Sequence, residues 1–135
     1  MDSMDQPIKI LLVEDDVFIL DMYKIMFKKA GFEVETAVDG EEGVKKAQDG
    51  DYDIILLDIM LPKLNGLDVL RAIRKNDCKA KDTPVFLLTN LGQENVIKEA
   101  FKIGAQGYLM KANLLPAQVV SQVQEFLKEK EKGLR

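Results

Sequence analysis

The sequence contains no histidine, no tryptophan and only one cysteine among its 135 residues. Without histidine, the chain has no imidazole for acid–base catalysis, for metal ligation or for carrying a phosphoryl group. Cys78 has no second cysteine with which to form an intramolecular disulfide. The chemistry of this protein must therefore come from carboxylates, hydroxyls and amines.

Long apolar runs are also absent, since no stretch approaches the roughly 20 residues that a membrane-spanning helix needs. The first residues, MDSMDQP, lack the basic and apolar regions of a secretory signal. The net charge is −4 and the isoelectric point is about 4.9, whereas a nucleic-acid-binding protein would show a basic stripe. We therefore expect a cytoplasmic protein with no membrane insertion and no direct nucleic-acid binding.

Short apolar runs alternate with stretches of helical period. Strands are predicted at four nearly continuous apolar runs, 8–13, 51–58, 83–89 and 107–110, and at an alternating run, 32–37. Helices are predicted at 16–30, 40–48, 65–76, 92–103 and 116–131. Five strand–helix units with short connections predict an α/β fold with a parallel sheet and helices on both faces.

Two of the predicted helices have apolar residues at helical spacing, as a helix that packs on a sheet would. Apolar residues recur at helical spacing in the first helix, at Ile19, Met22, Ile25 and Met26, and lie on one side of the fourth, at Val96, Ile97, Ala100 and Phe101. No repeat or linker divides the chain. We expect a loose N-terminal segment at 1–7, a single domain at 8–130 and a charged C-terminal tail at 131–135.

Candidate functional residues follow four of the five strands. The carboxyl ends of parallel strands form one crevice, so the residues just past each strand should converge there. These residues are Glu14, Asp15 and Asp16 after the first strand, Asp58 at the end of the third, Thr89 at the end of the fourth and Lys111 after the fifth. Each has an ordinary structural explanation by itself, such as helix capping, so the combination carries the argument.

Clustered carboxylates repel one another unless they are protonated or hold a cation. Oxygen ligands without histidine or cysteine suit Mg²⁺, with Mn²⁺ as an alternative. A lysine ammonium and a threonine hydroxyl nearby are partners for phosphate oxygens. The set predicts a metal-assisted phosphoryl site in which Asp58, at the end of the central strand, is the nucleophile.

At this point the sequence resembles the receiver domain of two-component response regulators, chemotaxis-regulator-like. The matching segments are ILLVEDD (10–16), DIILLDIMLPKLNGLDVL (53–70), PVFLLT (84–89) and GAQGYLMK (104–111). The resemblance covers about residues 7–130 and implies a flavodoxin-like, doubly wound sheet of strand order 2-1-3-4-5. It implies a switch in a phosphorelay, not an enzyme, with a histidine kinase or phosphotransfer protein as donor and an unknown output protein or fused output domain.

The resemblance also implies a role for each matching residue. Asp58 would be the phosphoacceptor, Thr89 and Lys111 would bind phosphoryl oxygens, and Tyr108 would report the switch by its rotamer. The metal would be held by Asp15, by Asp58, by the backbone carbonyl of Met60 and, through water, by Glu14. Phosphorylation would draw Thr89 inward, let Tyr108 turn, and so change the face formed by the last two helices.

Three positions depart from the family pattern. Asn90 follows Thr89 where a small residue is usual, and Met60 lies two residues after the acceptor; both bear on phosphoryl lifetime as hypotheses. Ala112 follows Lys111 where the family has a proline with a cis bond. A cis bond to alanine costs about 3–4 kcal/mol, so we predict a trans Lys111–Ala112 bond, with Pro116 opening the last helix.

Three other interpretations of the same residues compete with this one. A metal-dependent phosphatase or phosphotransferase with an aspartate nucleophile would carry a second acidic residue at the place of Met60 and a substrate cap segment. A flavin-binding protein would need a phosphate loop where Glu14, Asp15 and Asp16 stand. A degenerate receiver would have lost some of these residues. The chain is either a stand-alone receiver or part of a longer protein.

Overall fold

The computed structural model describes residues 6–90 and 93–131. Five parallel strands form one sheet in the order β2-β1-β3-β4-β5, which confirms the predicted class and strand order. The strands are β1 (Lys9–Val13), β2 (Glu33–Ala37), β3 (Ile54–Asp58), β4 (Val85–Thr89) and β5 (Gly107–Met110). The predictions for residues 1–5, 91, 92 and 132–135 lie outside the described residues.

Five helices follow the strands in turn. They are α1 (Val17–Lys29), α2 (Gly40–Asp49), α3 (Gly66–Ile73), α4 (Glu94–Ile103) and α5 (Pro116–Glu131). Asp16, Asp39 and Asn65 accept hydrogen bonds from first-turn backbone N–H groups and so cap α1, α2 and α3. Pro116 is the first residue of α5, as predicted, where its missing N–H is harmless.

The helices bury the two faces of the sheet in two separate cores. Alternate residues of each strand point to opposite faces, so neighbours such as Leu11 and Leu12 belong to different cores. One face packs against α2, α3 and α4 and the other against α1 and α5. The three central strands are therefore covered on both faces, which explains their nearly continuous apolar sequences.

Three helical residues differ from the prediction, two in α1 and one in α4. In α1 the buried residues are Leu20, Tyr23 and Phe27, whereas Met22 and Ile25 are 46% and 54% exposed. Apolar residues lie on several sides of this helix, so their spacing does not identify the side that packs on the sheet. In α4 the side chain of Phe101 is exposed rather than packed in the core with Ala100.

The segment after β5 takes the backbone that its sequence predicts. No cis peptide bond occurs among the described residues, so the Lys111–Ala112 bond is trans, as predicted. Residues Lys111–Asn113 form one turn of 3₁₀-helix instead, and this turn leads into α5. Within the described part of the chain, no helix has the length and apolar character needed to cross a lipid bilayer.

Candidate functional site at the carboxyl ends of the strands

Glu14, Asp58 and Thr89 are the buried polar or charged residues in the described part of the chain. All three lie at the carboxyl ends of neighbouring strands: Glu14 follows β1, Asp58 ends β3 and Thr89 ends β4. A buried polar side chain costs free energy unless it is paired, so such residues are rare without a partner or a function. Their confinement to one edge marks this edge as the candidate functional site.

Lys111 closes the site from the end of β5. Its Nζ donates a hydrogen bond to Asp58 Oδ2 at 2.8 Å and lies 2.6 Å from Glu14 Oε1. The Glu14 contact lacks the angles of a hydrogen bond, so it is an ion pair without a directed bond. The side chain of Lys111 is only 14% exposed, which places this ammonium over two buried carboxylates.

The electrostatics of the site follow from burial and pairing. Burial raises the pKa of Glu14, although Lys111 and the Asp16 backbone N–H act in the opposite direction. Burial lowers the pKa of Lys111, but the hydrogen bond to Asp58 and the close negative charges of Asp58 and Glu14 outweigh it, so that the pKa lies above its ordinary value. The carboxylates therefore favour a cation here, because one ammonium stands against several acidic groups.

The three consecutive acidic residues after β1 have different positions and contacts. Asp16 caps α1, and its own backbone N–H donates to Glu14 Oε2 at 3.0 Å. Asp15 is exposed, while Glu14 and Asp58 are buried, and the three carboxylates offer oxygens within 4.8 Å of one another. An all-oxygen set that is open to solvent on one side fits Mg²⁺, which keeps several of its waters.

The Asp58 carboxylate is oriented by the backbone that follows it. The Met60 backbone N–H donates to Asp58 Oδ1 at 2.9 Å, while Lys111 binds the other oxygen. Thr89 Oγ1 is buried and has no hydrogen-bond partner among the described residues. Both oxygens of the Asp58 carboxylate are thus held, and the neighbouring strand carries a hydroxyl that can still donate to one more hydrogen-bond acceptor.

Tyr108 lies away from this cluster. Its side chain is 46% exposed and contacts the Phe101 ring edge-on, with the ring centroids 6.3 Å apart. Asn90 is also exposed, and its backbone N–H donates to Gln93 Oε1 at 2.7 Å. Sequence reasoning missed this contact, in which the side chain of the N-cap residue of α4 reaches back three residues to the Asn90 backbone.

The structure brings most of the predicted site residues together. Glu14, Asp15, Asp58 and Lys111 share direct contacts or a common set of oxygens. Thr89 ends the strand beside Asp58, and Met60 contacts Asp58 through its backbone. Tyr108 alone lies outside the cluster. A doubly wound parallel sheet whose strand ends carry these carboxylates, this hydroxyl and this ammonium is typical of a regulatory receiver domain.

Comparison with known proteins assigns the family. The sequence model of the response regulator receiver domain family matches residues 10–124, so this chain belongs to that family. Members of this family are regulatory domains rather than typical enzymes. The curated regulator "DNA-binding dual master transcriptional regulator RpaA" of Synechocystis is 40% identical over 103 residues, which are 76% of this chain and 42% of the relative. The chain thus spans less than half of that protein.

Solved structures agree in fold. A CheY-like receiver domain protein from Methanospirillum hungatei matches with a TM-score of 0.84 and 29% identity over 95% of this chain and 99% of the other. The receiver domain of the sensor histidine kinase PA1611 from Pseudomonas aeruginosa matches with a TM-score of 0.78 and 28% identity, covering 90% and 98%. That structure has a magnesium ion coordinated in its active-site cleft.

Proposed function

We propose that this chain is a phosphorylation-dependent switch of a two-component system, in which Asp58 accepts a phosphoryl group from a histidine kinase or phosphotransfer protein. The observation that carries this proposal is a buried carboxylate, Asp58, with Lys111 on one oxygen and a partnerless hydroxyl, Thr89, on the next strand. An Asp58 oxygen forms a bond to phosphorus as the donor's phosphorus–nitrogen bond breaks. The electron pair of that bond stays on the imidazole nitrogen.

The neighbouring residues stabilise the charge that is transferred. Lys111 is positioned to bind one phosphoryl oxygen, and the Thr89 hydroxyl can donate to another. Glu14, Asp15, Asp58 and the Met60 carbonyl would hold Mg²⁺, or Mn²⁺ in its place, with Glu14 acting through water. When bound, the metal offsets negative charge on the phosphoryl oxygens. Only self-directed phosphoryl transfer and dephosphorylation are proposed, without turnover of a separate substrate.

The same proposal covers the output of the switch. An aspartyl phosphate brings roughly −1.5 to −2 charge into the site, and Thr89 turns toward it to donate its free hydroxyl. Tyr108, now held edge-on against Phe101, would then change rotamer and alter the face of α4, β5 and α5. An output protein or a fused output domain would recognise this face. Family membership supports a cytoplasmic location and a single receiver domain at 8–130.

The test is phosphoryl labelling followed by intact mass. The purified chain is treated with acetyl phosphate and Mg²⁺, and we expect a mass increase of one phosphoryl group. Asp58→Ala should abolish the increase, whereas Asp53→Ala should not, because Asp53 lies just before β3, at its amino end, and accepts from the Lys9 backbone N–H. Equal labelling of Asp58→Ala, or full labelling in excess chelator, would contradict the assignment.

A further inference from the structure

The loop that follows the acceptor strand contains the one strained backbone position of the described residues. We call residues 59–65 the acceptor loop. Lys63 has φ of 67°, and it is the single non-glycine residue with a positive φ in the described ranges. Across it, the Leu64 backbone N–H donates to the Pro62 carbonyl at 2.7 Å, which closes a three-residue turn. Such turns with positive φ are rare and strained, so contacts elsewhere must hold them in place.

The first contact is with the backbone of α2. The Gly40 N–H points to the Pro62 carbonyl at 3.5 Å. A Cβ on Gly40 would lie 1.8 Å from the Leu64 carbonyl oxygen and 2.7 Å from its carbon, a distance that no side chain can keep. The acceptor loop therefore rests directly on the first residue of α2, and glycine is needed there for close approach rather than for an unusual φ.

The second contact is electrostatic. Lys63 Nζ lies 3.5 Å from Asp39 Oδ2 and 4.0 Å from Glu41 Oε1. Asp39 is mostly buried at its side chain and also caps α2, so it gives the lysine a fixed partner. The ammonium thus ties the strained residue to the same helix end that Gly40 contacts.

The acceptor loop is also fixed at its two ends. At the start, Met60 donates its backbone N–H to the acceptor carboxylate. At the end, Gly66 donates its N–H to the Ile59 carbonyl at 2.8 Å, and a Cβ on Gly66 would lie 2.6 Å from Ile59 Cα. Any displacement imposed at Leu64 must therefore be absorbed between Met60 and Leu64, the stretch that carries the Met60 carbonyl.

We propose that Gly40 and Lys63 are positioning residues for the magnesium site, because they hold the acceptor loop against α2 and so fix the backbone of Met60. This inference rests on the proposed function, in which that backbone helps to hold the metal. Magnesium demands near-ideal octahedral geometry, so a small shift of one ligand weakens binding. Groups that orient metal ligands typically change metal affinity ten- to hundredfold when removed.

The principal experiment compares Gly40→Ala with the wild-type chain. Mg²⁺ is titrated while backbone amide chemical shifts of residues 58–60 are followed by NMR. We expect the Mg²⁺ dissociation constant to rise roughly ten- to hundredfold in Gly40→Ala. At saturating Mg²⁺ the labelling rate with acetyl phosphate should recover, because the substitution moves a ligand and leaves Asp58, Thr89 and Lys111 in place.

Gly43→Ala is the matched control. It lies on the same helix, but its Cβ would meet the Val13 side chain at 3.0 Å rather than the acceptor loop. We expect it to lower stability and to leave the Mg²⁺ dissociation constant unchanged. A change of the same size in both variants would overturn the proposal, since it would show a general effect of damage to α2.

Lys63→Ala tests the same idea without crowding the loop. Alanine, like lysine, is a non-glycine residue, so the backbone strain at position 63 is unchanged, while the ion pair to Asp39 is lost. Because this pair is partly exposed, we expect Mg²⁺ affinity to fall by up to about fivefold. The proposal fails if both Gly40→Ala and Lys63→Ala bind Mg²⁺ like the wild type. Absence of Mg²⁺-induced shifts in the wild type would instead contradict the proposed function.

Discussion

Two partly buried cations lie at opposite edges of the sheet, one at the carboxyl ends of the strands and one at their amino ends, and their partners differ. Lys111, at the carboxyl edge, faces the carboxylates of Asp58 and Glu14. Arg74, at the amino edge, donates to the Gly104, Ala80 and Lys81 carbonyls and to the Gln106 side chain. The carboxylates raise the pKa of Lys111 in spite of its burial, whereas burial lowers that of Arg74.

Under the proposed function, the difference separates a reactive edge of the sheet from a structural one. From the end of α3, the guanidinium of Arg74 donates to neutral acceptors in the segment before β4, at the end of α4 and just before β5, so its hydrogen bonds are used within the protein. Around Lys111, by contrast, acidic groups outnumber the cation, and the Thr89 hydroxyl has no partner in the described chain. A phosphoryl group can accept a hydrogen bond from the unused hydroxyl, and a metal ion can balance the surplus negative charge.

The largest effect that would test this comparison is expected from Lys111→Met. This substitution removes the charge that would bind a phosphoryl oxygen, so we expect labelling by acetyl phosphate to slow by about a hundredfold or more. Mg²⁺ binding should become tighter, because the ammonium no longer competes for Glu14 and Asp58. Labelling is measured by intact mass and Mg²⁺ affinity by amide shifts.

Lys98→Met is the control for Lys111→Met, because Lys98 is an exposed lysine on α4. It should change neither the labelling rate nor Mg²⁺ affinity. If Lys111→Met labels at the wild-type rate, its ammonium has no part in phosphoryl transfer and the assignment of the reactive edge is wrong.

Arg74→Met should affect stability and spare the chemistry. Several charged hydrogen bonds are lost and carbonyls such as that of Gly104 are left without their donor, so we expect the free energy of unfolding to fall by about 2–3 kcal/mol. Labelling of the folded protein should remain at the wild-type rate. Urea unfolding measures the free energy of unfolding, and intact mass measures the labelling rate. A labelling defect without loss of stability would break the contrast between the edges.

The sequence predicted the reactive edge better than the structural one. Asp58, Thr89 and Lys111 each end or follow a strand, so the topology of a parallel sheet was enough to bring them together. Arg74 has no such signal, because its partners are mainly backbone carbonyls 6 to 30 residues away. Likewise, Met22 and Ile25 share the spacing of core residues, and only the packed helix shows that Leu20 and Phe27 face inward.

Close backbone contacts were also beyond prediction from sequence. The 1.8 Å separation between a Cβ at Gly40 and the Leu64 carbonyl oxygen depends on how α2 and the acceptor loop are placed in space. Hydrophobic periodicity reports which residues are buried and carries no information on such distances. The strand order and the trans Lys111–Ala112 bond, in contrast, followed from resemblance and from the cost of a cis bond to alanine.

The smallest expected effect comes from Thr89→Val, and its sign is informative. Valine has nearly the same shape as threonine but lacks the hydroxyl, which is buried without a partner here. Removing an unsatisfied buried polar group should raise the free energy of unfolding by about 1 kcal/mol. The aspartyl phosphate, however, loses a hydrogen-bond donor, so its lifetime should change although the unphosphorylated protein is more stable.

Thr83→Val is the matched substitution for this test. The Thr83 hydroxyl donates to the Tyr52 carbonyl at 3.5 Å, so its loss should lower the free energy of unfolding by up to about 1 kcal/mol. It should leave the lifetime of the aspartyl phosphate unchanged, because it lies before the amino end of β4, away from Asp58. If Thr89→Val destabilises the unphosphorylated protein as Thr83→Val does, the Thr89 hydroxyl already has a hydrogen-bond partner and is not available to donate to a phosphoryl oxygen.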